Sequence, residues 1–198
     1  DRIRKYDGPI RVYVQNRARP DRRSDVAKVV ADIRAHVKNL DIAITDQRDR
    51  ANVMVRLVRD SNLRRAISQA FGRAQARRIQ RSLEPQCLSG FRKDDDYRIQ
   101  DSNVILVADA GDFIFYDCAY EEFLQSLGPI NDDETVPWTM FNDEVQMGFF
   151  DIYDQYILNI LYDPRIRPGM TRDQVRALLP EILPDVREWV ARVNDFKP

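Results

Sequence analysis

The residues best suited to chemistry lie in one short stretch, Cys118 to Asp132. Cys118, Glu121, Glu122 and Gln125 recur at spacings of three and four, so on a helix they share one side. Glu121 and Gln125 stand one turn apart, and Glu122 points somewhat aside. Gly128 stops such a helix and lets the chain turn back, which would bring Asn131 and Asp132 under the same face. Glu121, Gln125, Asn131 and Asp132 are all oxygen donors. They suit a hard cation such as calcium or magnesium, although no calcium-loop spacing is present. They also suit acid–base chemistry, which needs two carboxyls facing each other across a bond. Adjacent helix residues diverge by about 100°. That argues against Glu121 with Glu122 and leaves Glu122 with Asp132 as the pair. Asp133, Asp143 and Asp163 are further candidates to join the cluster. The third reading is internal: a hydrogen-bond network that satisfies buried backbone groups.

Other residue types narrow the choice. The chain has one histidine, His36, and two cysteines, Cys87 and Cys118. Cys118 as a nucleophile has no histidine in reach to activate it. Two thiols are a disulfide or two independent buried residues, and the sequence leaves both open. With 31 basic and 32 acidic side chains, net charge is −1, which gives no general reason to expect a nucleic-acid partner. No run approaches the ~18 consecutive apolar residues of a membrane span.

The elements that must position these residues follow from periodicity. Residues 9–15 alternate apolar and polar and predict a strand. Val26, Val29, Val30, Ile33 and Val37 predict a helix over 25–38. Short strands are expected at 40–45 and 52–59, then a helix over 62–82. Arg64, Arg65, Arg73, Arg77, Arg78 and Arg81 give that helix a basic side, read as a solvated face or a surface for an anionic partner. Residues 85–101 read as a loop and 104–107 as a buried strand. A helix over 114–127 carries the polar cluster. Residues 129–148 read as irregular, with Trp138, Phe141, Phe149 and Phe150 either packing beneath the loop or lining a cleft. A helix over 149–161 follows. Thr171 and Gln174 make a capping box for a last helix, which Pro180 and Pro184 should interrupt.

The cluster resembles the zinc-binding helix of metzincin proteases, whose motif is H-E-x-x-H-x-x-G-x-x-H. On that motif Glu121 stands at the first histidine, Glu122 at the catalytic glutamate, Gln125 at the second histidine, Gly128 at the glycine and Asn131 at the third ligand. Met170, in Pro168-Gly169-Met170, falls where metzincins place a methionine turn. More closely, the chain resembles a family of uncharacterised bacterial proteins, mostly proteobacterial and predicted to be exported. The shared pattern is a cysteine (Cys118), E-E-x-x-Q-x-L-G (121–128), N-D (131–132), F-N-D (141–143) and L-Y-D-P-x-x-x-P-G-M (161–170).

The resemblance implies an α/β (α+β), zincin-like single domain over 1–198: a mixed twisted sheet packed on helices, a short extension over 1–8 and C-terminal helices over 171–198. It implies a Cys87–Cys118 disulfide and a periplasmic or otherwise exported location, with any signal or lipid anchor outside these residues. It carries no established activity. A catalytic zinc needs three histidine, cysteine or carboxylate ligands and an open position, so no zinc or other cofactor is expected. The expectation is a non-catalytic metalloprotease-like domain that binds an envelope protein or cell-wall component. The alternative is a hydrolase using Glu122 with Asp132, or a hard-cation site, on peptide or cell-wall substrates.

Overall fold

A computed structural model of the chain describes residues 2–74, 86–130, 135–142 and 145–196. The alternating segment forms β1 (Ile10–Asn16), with Ile10 and Val12 fully buried. Helix α1 (Arg23–His36) buries Val26, Val29, Val30 and Ile33, the stripe its 3.6-residue period predicts. Strands β2 (Ile42–Ile44) and β3 (Val53–Val58) follow, then α2 (Leu63–Phe71). Gly72 ends α2 at φ 82, so the helix expected over 62–82 stops within its first half. Arg77, Arg78 and Arg81 lie outside the described residues.

The segment expected as a loop contains a strand. β4 (Cys87–Lys93) pairs antiparallel with β5 (Ile99–Val107), and β5 begins five residues before the apolar run that announced it. β4 is an edge strand, half-buried or exposed along its length, and Gly90, Arg92 and Lys93 give it no alternating pattern. The sheet order is β2-β1-β3-β5-β4, with every pair parallel except β4–β5. β5 is buried on both faces. Val104 and Leu106 join the main core with α1 and α3 (Asp112–Ser126), whereas Ile105 and Val107 pack on α2. Two-sided burial explains the unbroken Val104–Val107 run.

No regular element appears among the described residues between α3 and the next helix. α4 (Ile152–Leu161) starts where the Asp151 carboxylate accepts from the Tyr153 N–H, three residues later than expected. The last helix, α5 (Arg172–Val193), carries the expected Thr171–Gln174 capping box. It then runs unbroken through both prolines. Pro180 and Pro184 are one turn apart on the solvent side, opposite the buried Ile182, Val186 and Val190. The carbonyls that each proline deprives of a donor belong to the exposed Arg176 and Pro180, where water reaches them. The N-terminal segment packs against the fold: Lys5 and Tyr6 are buried, and Arg2 bridges to Thr171. No helix of the described residues is long and apolar enough to cross a membrane.

Candidate functional site

Helix α3 is held on all sides, which fixes its polar face. Toward α1, Tyr116 donates to Asp25 at 2.9 Å and Tyr120 to Asp32 at 2.7 Å. Burial, then the Asp32 carboxylate, pushes the Tyr120 hydroxyl well above its ordinary pKa, so it remains a donor. Toward the sheet, a disulfide joins Cys118 to Cys87 at the start of β4, with Cα atoms 5.7 Å apart. One residue before it, Asp117 accepts the Met147 N–H at 2.6 Å and anchors the chain after α3. Burial raises the Asp117 pKa, and that hydrogen bond opposes the rise. A second buried carboxylate, Asp154 on α4, takes the Thr139 hydroxyl at 2.5 Å and the Met140 N–H at 3.0 Å. Nothing local in the sequence marks Asp117 among the other acids of this helix.

The end of α3 is closed from outside the helix. The carbonyl of Ser126 accepts the Ser102 hydroxyl at 3.0 Å, and that of Leu127 accepts the Tyr162 hydroxyl at 2.8 Å. These bonds satisfy carbonyls that a helix C-terminus leaves without partners. Gly128 then turns at φ 140, and a Cβ there would lie 2.3 Å from the Arg4 carbonyl oxygen. Only glycine fits both the turn and the approach.

Glu121 and Glu122 both lie beside the disulfide. Their carboxylate oxygens and the Cys87 sulfur fall within 4.8 Å of one another, with Glu122 buried and Glu121 half-buried. This differs from the divergence expected of neighbouring positions: the two Cα–Cβ directions separate, but the long side chains reach back to one point. Gln125 donates to Glu121 at 3.4 Å, across the helical turn the spacing predicted. Asn131 and Asp132, and with them Asp133 and Asp143, lie outside the described residues.

The remaining candidates are placed elsewhere in the hydrogen-bond pattern. Asp163, after α4, binds Arg165 through its backbone N–H at 2.9 Å and its guanidinium at 2.7 Å. The guanidinium holds this carboxyl below the usual carboxylate range. Met170 accepts the Ile3 N–H through its carbonyl at 2.9 Å, and its sulfur accepts the Arg167 N–H at 3.3 Å. It lines the same cavity as Gly128. His36 pairs with Asp32, at 3.0 Å from its carboxylate. Of the aromatic group, Phe141 and Phe150 are core, while Trp138 (72% exposed) and Phe149 (57% exposed) project outward.

Among the described residues the cluster brings two carboxylates and an amide beside an oxidised cysteine pair. Cys87 is spent in the disulfide and offers no thiolate. None of the curated proteins matches the chain. A family model described as "Protein of unknown function (DUF2927)" matches residues 1–181. The main core on the sheet, the disulfide and the described residues of the α3 cluster all fall within that match, and the chain belongs to the DUF2927 family.

Proposed function

We propose that the chain is a zincin-like domain that has exchanged its catalytic metal site for a polar cluster and acts by binding an envelope protein or a cell-wall component. The observation that carries this reading is the state of the three donors beside α3. Cys87 is oxidised, and Glu121 and Glu122 remain. Among the described residues, two carboxylates with the Gln125 amide do not make up the three histidine, cysteine or carboxylate ligands that a catalytic zinc takes beside its open position. The order β1, α1, β2, β3, α2, β4, β5, α3 supports this reading in placing the cluster-bearing helix directly after the last strand. The disulfide supports export, since such bonds persist in oxidising compartments.

Elemental analysis of the purified, oxidised protein tests this reading. After dialysis against zinc and then metal-free buffer, it should retain well under one zinc per chain. One retained equivalent overturns the proposal.

The proximity of Glu121 and Glu122 favours two competing readings, a carboxylate hydrolase and a hard-cation site. Turnover of peptidoglycan or peptide substrates that Glu122→Gln abolishes would establish the hydrolase. Stoichiometric calcium or magnesium would establish the cation site.

A further inference from the structure

Beyond Gly128 the surface opens into a cavity of about 600 Å³, within the range of about 300–1,000 Å³ usual for small-ligand sites. It is assembled from the N-terminal segment, the turn after α3, and the facing sides of α4 and α5. α4 contributes Ile157 and Ile160, and α5 contributes Val175 and Leu179, all half-buried. Four arginines complete the lining: Arg2, Arg4, Arg172 and Arg176. Among the described residues, every other lining residue apart from Gly128 and Pro129 is apolar, and none is acidic.

Arg2 has partners of its own, the Gly169 carbonyl at 2.8 Å and the Tyr97 ring at 5.8 Å. Arg4, Arg172 and Arg176 make no side-chain hydrogen bond or ion pair among the described residues. Arg172 and Arg176 stand one turn apart at the start of α5, where the helix dipole disfavours cations. Local helix electrostatics therefore gives no reason for them. A guanidinium presents a planar fork of donors that matches a carboxylate.

We propose that this cavity binds a long-chain fatty carboxylate. The acyl chain lies between α4 and α5, and the carboxylate engages Arg172 and Arg176. The concave shape and the volume favour a single small amphiphile over a docked peptide. The site is independent of the α3 cluster and of the reading given to it.

The test is a fluorescence titration of the full chain with cis-parinaric acid, kept below its micelle concentration. Saturable binding is expected, displaced by palmitate. Its methyl ester, which keeps the chain and loses the charge, should bind at least tenfold more weakly. Arg172→Gln with Arg176→Gln should weaken the acid at least tenfold and leave the ester unchanged. If that double variant loses its native circular dichroism, the acid–ester comparison on the unaltered protein decides. Absence of saturable binding overturns the proposal, as does equal affinity for acid and ester. A folded double variant that binds the acid as before also overturns it. Binding of an acidic amphipathic peptide without binding of cis-parinarate would assign the cavity to a protein partner instead.

Discussion

The ammonium of Lys5 donates to the carbonyl of Leu161 at 2.7 Å, although 156 positions separate the two residues. A second bond runs to the Ile166 carbonyl at 3.0 Å, and the Tyr162 ring lies 5.0 Å below the nitrogen. Lys5 thus caps the C-terminus of α4, where a cation is favoured. Burial nevertheless brings its pKa down from 10.5 to about 8, opposed in part by Asp7 and Asp163. Between pH 8 and 10.5 the unfolded chain holds a proton that the folded one has released, so stability rises with pH across that window. The rise amounts to about 3 kcal/mol at most. Buried Tyr6 and Tyr162 have raised pKa values and act oppositely, but only above about pH 10. Urea denaturation at pH 7.5 and 9.5 should show the gain, and Lys5→Met should remove it. A slope that survives in the variant would assign the effect to another group.

Gly128 should tolerate no side chain. With φ 140 and the Arg4 carbonyl 2.3 Å from a modest Cβ, Gly128→Ala must shift the backbone of the N-terminal segment or of the turn. A loss of about 3 kcal/mol or more is expected, within the range of severe single substitutions. Thermal melting of the variant measures it directly, and an unchanged melting temperature would show that the turn relaxes freely.

The Cys87–Cys118 disulfide spans 31 residues. Chain-entropy reasoning assigns a loop of that length about 3.5 kcal/mol of stabilisation. Replacing both cysteines with serine should lower the urea midpoint accordingly. Mass spectrometry of the native chain under alkylating conditions should find no reactive thiol, and two alkylated cysteines would contradict the bond.

The prolines of α5 offer a gain. Both are on the exposed face, and neither carries a buried contact that the helix needs. Pro184→Ala restores a helical N–H to the Pro180 carbonyl and should stabilise the chain by about 1–3 kcal/mol. Differential scanning calorimetry would register a higher melting temperature. A lower one would mean that Pro184 is required for the seat of α5 on α4.

Legibility in the sequence followed the physics of each element. β1, α1 and β3 were readable because each buries one regular face: Val12, Val29 and Val55 recur on the period of their own structure. β4 was not readable, because an edge strand around Gly90 with Arg92 and Lys93 has no core face to announce it. The helix-breaking rule for Pro180 and Pro184 gave way because their orphaned carbonyls meet water. At the candidate site, the Glu121–Gln125 contact was visible from a spacing of four. The convergence of Glu121 and Glu122 on Cys87 was not, since it depends on side-chain length and on where β4 docks. The arginine-lined cavity left no local signal at all: Arg4 and Arg176 meet only when the two ends of the chain do.

That meeting of distant segments has a consequence for folding. On the ribosome, Lys5 and Tyr6 emerge long before Leu161 and Ile166, the residues whose carbonyls Lys5 requires. Closing so long a loop precedes the reward of the contact, a topology that slows folding. The β1–α1–β3 region can pair as it appears, but the N-terminal segment has no berth until α4 and the turn at Met170 have been made. The segment around Lys5 is therefore among the last to find its place, and a chain ending before Leu161 would leave Lys5 without either acceptor.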